Sequence, residues 1–84
     1  MTRDEIRATV LRVLAGIAPE ADLSQLKPDA PIRDQLDIDS IDFMNFLIGL
    51  DQELHVDFPE TEYAKLATLN GCVDHLAARL VSRA

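Results

Sequence analysis

The chain has 84 residues, 48% of them apolar, with 15 acidic against 8 basic side chains and a net charge of −7. This supports one globular domain over residues 1–84 with a thin core, read below from its periodicities as all-α, and it excludes nucleic acid as a partner because no basic patch could neutralise phosphates. A lone Cys72 excludes an internal disulfide, and no apolar run reaches the roughly 18 residues of a membrane span.

The first helix opens on a T-x-x-E capping box formed by Thr2 and Glu5. Ile6, Val10, Val13, Leu14 and Ile17 then recur at helical spacing, and Pro19 ends the pattern because it lacks a backbone donor. A long connection follows, EADLSQLKPDAPIRDQLDI, with apolar residues at Leu23, Leu26, Ile32, Leu36 and Ile38. Their spacing predicts a loop held down by its own contacts, with one short helical turn around Arg33–Leu36.

The second helix is predicted from Asp39 or Ser40 to Leu54. Asp39 is a good N-cap, and Asp42 places negative charge in the first turn, where the helix dipole favours it. From Phe43 to Leu50 only Asn45 is polar. Ile41, Met44, Leu47, Ile48 and Leu54 form one apolar stripe, taken as the core face; Phe43, Phe46 and Leu50 form a second. Gly49 costs about 1 kcal/mol relative to Ala in a helix interior, which predicts close packing against another helix. An extended HVDFPETEY stretch leads to Pro59, which opens a short helix over Glu60–Leu66. Thr68 then caps a last helix along Leu69, Val73, Leu76 and Leu80. The expected fold is a small bundle of three main helices plus one short helix, with a long loop between the first two.

The acidity is concentrated in mid-chain. Between Val13 and Ala64 two bases, Lys27 and Arg33, face twelve acids, while the ends are mildly basic. Opposite fields speed encounter, so basic protein surfaces are the expected partners. The N-terminus lacks the charged-then-apolar layout of a signal peptide, and a cytoplasmic monomer is expected.

Ser40 stands out chemically. Asp-Ser before an apolar run is an ordinary helix start. Asp39 is the better cap, however, and leaves Ser40 without a structural task. With Ile41 on the core stripe, Ser40 is expected to point outward. A helix N-terminus also suits a phosphate, through its unpaired N–H groups and positive dipole end. Asp39 and Asp42 oppose a bare phosphate but suit a divalent metal brought by an enzyme. No histidine or other base adjoins the hydroxyl in sequence, so it is not an activated nucleophile.

These residues resemble a family. LDIDSIDF is similar to the attachment motif of acyl carrier proteins, in which an Asp-Ser-Leu triplet opens the second helix. The resemblance extends to the opening amphipathic helix, the long loop, the HVDFPE stretch and Thr68. It implies a non-catalytic carrier whose Ser40 bears a covalent 4′-phosphopantetheine arm, with Asp39 flanking it. A phosphopantetheinyl transferase using Mg²⁺ would attach the arm, and its thiol would hold acyl intermediates as thioesters. The implied setting is fatty-acid, lipid or polyketide-type biosynthesis, with acyl-loading ligases or synthases as partners. Ile41, Asp42 and Asn45 would belong to the surface that meets them. Ile41 replaces the usual Leu, Asn45 and Gln52 stand where fatty-acid members carry acids, and Asp37-Ile38 replaces the usual Gly. These departures point to a specialised rather than a housekeeping carrier.

Other constellations are weaker. Asp37, Asp39 and Asp42 fail the calcium-loop pattern, which needs Gly where Asp42 stands and Glu where Ile48 stands. Cys72, His75 and His55 fall short of a zinc site and read as ordinary helix-surface residues. Asp22, Asp29, Glu60 and Glu62 read as solubilising charge. Of the other serines, Ser24 lies in the loop and Ser82 near the C-terminus. The alternatives are an aminoacyl or peptidyl carrier, and a helical interaction module without a prosthetic group that binds through Phe43 or Phe46.

Overall fold

The computed structural model describes residues 2–82, with side chains to residue 80. Helix α1 spans Arg3–Ile17, a short α2 spans Ile32–Gln35, α3 spans Ser40–Leu54 and α4 spans Leu69–Ser82. Two 3-10 segments, Leu23–Gln25 and Glu60–Leu66, complete the order. The described residues form an all-helical bundle with one isolated antiparallel bridge, Pro31 to Thr68.

Local chemistry fixes the helix ends. The Glu5 N–H donates to Thr2 Oγ1 at 3.2 Å, and the Thr2 N–H donates to Glu5 Oε1 at 2.8 Å, closing the expected box. At the start of α4, Thr68 Oγ1 accepts the Gly71 N–H at 2.9 Å. The Glu60–Leu66 helix follows Pro59 as expected but is wound as a 3-10 helix.

Helix α1 packs against both α3 and α4. Ile6, Val10 and Leu14 of α1 meet Phe46, Leu47, Leu50 and Leu54 of α3 and Leu69, Cys72, Val73 and Leu76 of α4 in one core. The long loop is anchored to it by Ile32, which is fully buried. Leu23, Leu26, Leu36 and Ile38 pack half-buried around it. Polar bonds add to this. The Gln35 side chain accepts from the Lys27 N–H at 2.6 Å and donates to the Lys27 and Ala30 carbonyls. The Ile32 N–H donates to the Ala67 carbonyl at 2.8 Å, and the Asn70 N–H to that of Pro28 at 3.0 Å. The short turn occurs at Ile32–Gln35, one residue earlier than the spacing predicts.

The core face of α3 differs from the expected one. Ile41 is 69% exposed, Ile48 46% and Met44 38%, so the stripe they mark faces solvent. The buried arc runs through Phe46, Leu47, Leu50 and Leu54, with Phe43 half-buried at its start. Positions 43, 46, 47, 50 and 54 lie on one side of a 3.6-residue helix. Leu47 and Leu54 alone connect the predicted stripe to this arc.

Two glycines mark close approaches. A Cβ on Gly49 would lie 2.7 Å from Val13 Cγ1, so this glycine lets α1 and α3 come together as predicted. A Cβ on Gly71 would press against the backbone carbonyl oxygen of Lys65, which cannot rotate away. Gly71→Ala is therefore expected to destabilise the fold by about 1–3 kcal/mol, the usual cost of forced overpacking. Urea denaturation measures it; an unchanged midpoint would show that the α4 entry yields freely.

Candidate functional site

Ser40 is the first residue of α3. Its cap is Asp39, whose Oδ1 accepts the Asp42 N–H at 2.8 Å. Asp42 Oδ2 accepts the Asp39 N–H in return at 3.4 Å. Both flanking carboxylates thus hold the helix start, and Ser40 does not. Ser40 is exposed, and its hydroxyl has no hydrogen-bond partner among the described residues. Its exposure does not come from Ile41 being buried opposite it, since Ile41 is itself exposed.

Asp39, Ile41, Asp42 and Asn45 surround Ser40 on the first turns of α3. Asn45 and Ile41 are exposed and Asp42 is half-buried. One turn further, the Tyr63 hydroxyl donates to Met44 Sδ at 3.6 Å, which links the 3-10 segment Glu60–Leu66 to this exposed face.

An open cleft of about 460 Å³ is lined by Pro31, Arg33, Asp34, Ile38, Phe43 and Ala67. Two of its lining residues, Ile38 and Phe43, flank Ser40 in sequence. The sequence alone does not reveal this cleft, because Ala67 reaches it only through the pairing of Ile32 with Ala67. Arg33, one of two bases in the acidic mid-section, was the available signal.

The remaining candidates are engaged elsewhere. Ser24 donates its hydroxyl to Asp22, and these Ser24 hydrogen bonds hold the Asp22 carboxyl below its ordinary pKa. Ser82 closes α4, and its side chain lies outside the described residues. His55 terminates α3 in a left-handed conformation with φ 54°, at the far end of the helix from Ser40.

Cys72, His75 and Glu62 depart from the surface roles expected of them. Glu62 Oε2 takes His75 Nε2 at 3.1 Å and Arg79 at 3.3 Å, tying the Glu60–Leu66 segment to α4. The His75 ring also lies 5.9 Å from that of Phe58. Cys72 is fully buried and donates to the Leu66 carbonyl at 3.2 Å. Among the described residues no group of three or more His, Cys, Asp or Glu side chains gathers to hold a metal ion.

Burial pushes the Cys72 thiol up to about 12. Its proton is held more tightly folded than unfolded, so stability is complete below the ordinary thiol value of about 8.5 and falls as pH rises toward 12. A thiol reagent is accordingly expected to label Cys72 only on unfolding; labelling at neutral pH in the native state would contradict its burial.

Comparison with known proteins matches residues 4–76 to the family described as "Phosphopantetheine attachment site". The acyl carrier protein of Renibacterium salmoninarum is 30% identical over 80 residues, covering 92% of this chain and 94% of that one. That of Chlorobium luteolum is 27% identical over 79 residues, covering 94% of this chain and all of the other. A solved structure of the acyl carrier protein from Enterococcus faecalis superposes with a TM-score of 0.76 at 26% identity, covering 93% of this chain and 98% of that one. No helix among the described residues is long and apolar enough to cross a membrane. The family match and the helical order agree along nearly the whole chain, which belongs to the acyl carrier protein family with its phosphopantetheine attachment domain.

Proposed function

We propose that Ser40 is the point at which the phosphopantetheine arm is attached, and that the protein is a carrier of acyl groups. The observation that carries this reading is the division of labour at the start of α3. Asp39 and Asp42 cap the helix, and the Ser40 hydroxyl is exposed and unengaged. The residues fit the group. A phosphodiester on Ser40 Oγ displaces no hydrogen bond with the described residues, and it sits where the helix dipole favours an anion. When bound, the arm supplies a thiol that holds an acyl group as a thioester.

The chain itself tethers, presents and is recognised. Asp39, Ile41, Asp42 and Asn45 form the surface offered to a phosphopantetheinyl transferase and to acyl-loading ligases or synthases. Asp39 and Asp42 suit the Mg²⁺ that such a transferase brings to the serine. Asn45 and Gln52 leave the adjoining face neutral, which favours a dedicated pathway over housekeeping fatty-acid synthesis. A cytoplasmic monomer fits this role.

Loading tests the carrier role. Treatment with acyl-CoA, Mg²⁺ and a broad-specificity transferase is expected to add an acylated arm. Hydroxylamine should then release the acyl group and leave the arm in place. An arm that retains its acyl group under hydroxylamine would contradict a thioester.

The interaction-module reading draws on the exposed strip of Ile41, Met44 and Ile48. Phe46 plays no part in such contacts, because it is wholly buried. The exposed strip lies beside Ser40, so a carrier uses the same surface.

A further inference from the structure

We infer that Glu62 is a positioning residue for partner docking: its clasp on His75 and Arg79 fixes the Glu60–Leu66 segment, so that Tyr63 holds Met44 in place on the exposed strip of α3. The inference rests on the carrier reading of Ser40 and gives a task to the Glu62 cluster, which that reading leaves unused.

The segment needs outside support. It is a 3-10 helix of seven residues, whereas such helices rarely run beyond about four because their hydrogen bonds are poorly aligned. No side chain caps its start at Pro59, and Leu66, at its far end, is its one buried residue. It packs on α4. Toward α3 the fit is looser, with a small open cavity of about 80 Å³ lined by Leu47, Ile48, Phe58 and Tyr63 among others. The first half of the segment is therefore held by its polar ties.

Those ties converge on one carboxylate oxygen. Glu62 Oε2 accepts from His75 Nε2 at 3.1 Å and from Arg79 Nη2 at 3.3 Å. A carboxylate only accepts, so Nε2 carries the proton in this contact. The Glu62 and His75 side chains are 22% and 14% exposed, and this partial burial reduces screening of the cluster by salt. Arg79 also donates to the Asp57 carbonyl, which draws in the stretch leading to Pro59.

Tyr63 follows Glu62 directly and reaches across to α3, where its hydroxyl donates to Met44 Sδ at 3.6 Å. A methionine side chain has three rotatable bonds, and its thioether accepts only weakly. The contact therefore depends on the ring being held in register, which is what the clasp supplies. Met44 lies with Ile41 and Ile48 on the exposed strip, one turn along α3 from Ser40. Ordering such a side chain before an encounter removes a cost that binding would otherwise carry.

The test combines transferase kinetics and NMR on the intact, unloaded protein. Glu62→Ala and Tyr63→Phe are each expected to raise the KM of a broad-specificity phosphopantetheinyl transferase for this chain by about two- to tenfold, with kcat unchanged. Because the clasp acts through Tyr63, the double variant should be no worse than either single one. With methionine methyl groups labelled, a nuclear Overhauser contact from the Tyr63 ring to the Met44 methyl is expected in the parent and should be lost in Glu62→Ala. Tyr63→Phe keeps the ring and the clasp, so it keeps the test decisive if the Glu62 variant misfolds. A parent that loads while both variants keep its KM, or additive losses in the double variant, would overturn this role and leave the carrier reading standing. A parent that accepts no arm would overturn the carrier reading itself.

Discussion

Phe46→Ala is expected to destabilise the protein by about 3–5 kcal/mol, the largest loss of any single side chain in the core. Phe46 is completely buried and heads the fully buried side chains by volume. Its ring lies 5.8 Å from that of Phe43 at a tilt of 45°, a geometry aromatic pairs favour. Truncation removes this contact and leaves a cavity that the rigid helix interface fills only in part. A chain of 84 residues has a total stability of roughly 4–13 kcal/mol, so the variant should be largely unfolded or close to it at 37 °C. Ile41→Ala is the matched control. With Ile41 69% exposed, its truncation should change stability by no more than about 0.5 kcal/mol. Urea denaturation of both variants decides which face of α3 meets the core. A larger loss from Ile41→Ala than from Phe46→Ala would reverse the assignment.

That contrast also marks where the sequence is readable. Helix ends are legible because their chemistry is local: Thr2 with Glu5, Asp39 with Asp42, and Thr68 ahead of α4 each act within four residues. The buried face of α3 is not legible in the same way. Ile41, Met44 and Ile48 have the same helical spacing as Phe43, Phe46 and Leu50, and a run with Asn45 as its sole polar residue gives no contrast between them. The choice is made by the surfaces that α1 and α4 present, which no window of α3 contains. The 3-10 turn at Leu23–Gln25 had a local signal, the Asp22 carboxylate accepting from the Ser24 N–H at 3.1 Å. The loop's attachment through Ile32 and Ala67 had none, since the partners are far apart in sequence. Glu62 reads as surface charge for the same reason: His75 and Arg79, which it binds, lie on another helix.

Ser40→Ala is expected to abolish attachment of the arm entirely while leaving stability within about 0.5 kcal/mol of the parent. The two outcomes separate because the hydroxyl supports nothing in the fold. Asp39 and Asp42 cap α3 without it, and alanine is the better helix former. Ser24→Ala is expected to accept an arm normally, since Ser24 is bonded to Asp22 and opens no α-helix.

The most direct measurement is intact-mass analysis of the parent chain after incubation with coenzyme A, Mg²⁺ and a broad-specificity phosphopantetheinyl transferase, followed by peptide mapping. The expected result is a gain of one arm per chain, located on Ser40. No gain under conditions that load a control carrier, or an arm on Ser24 in place of Ser40, would contradict the account.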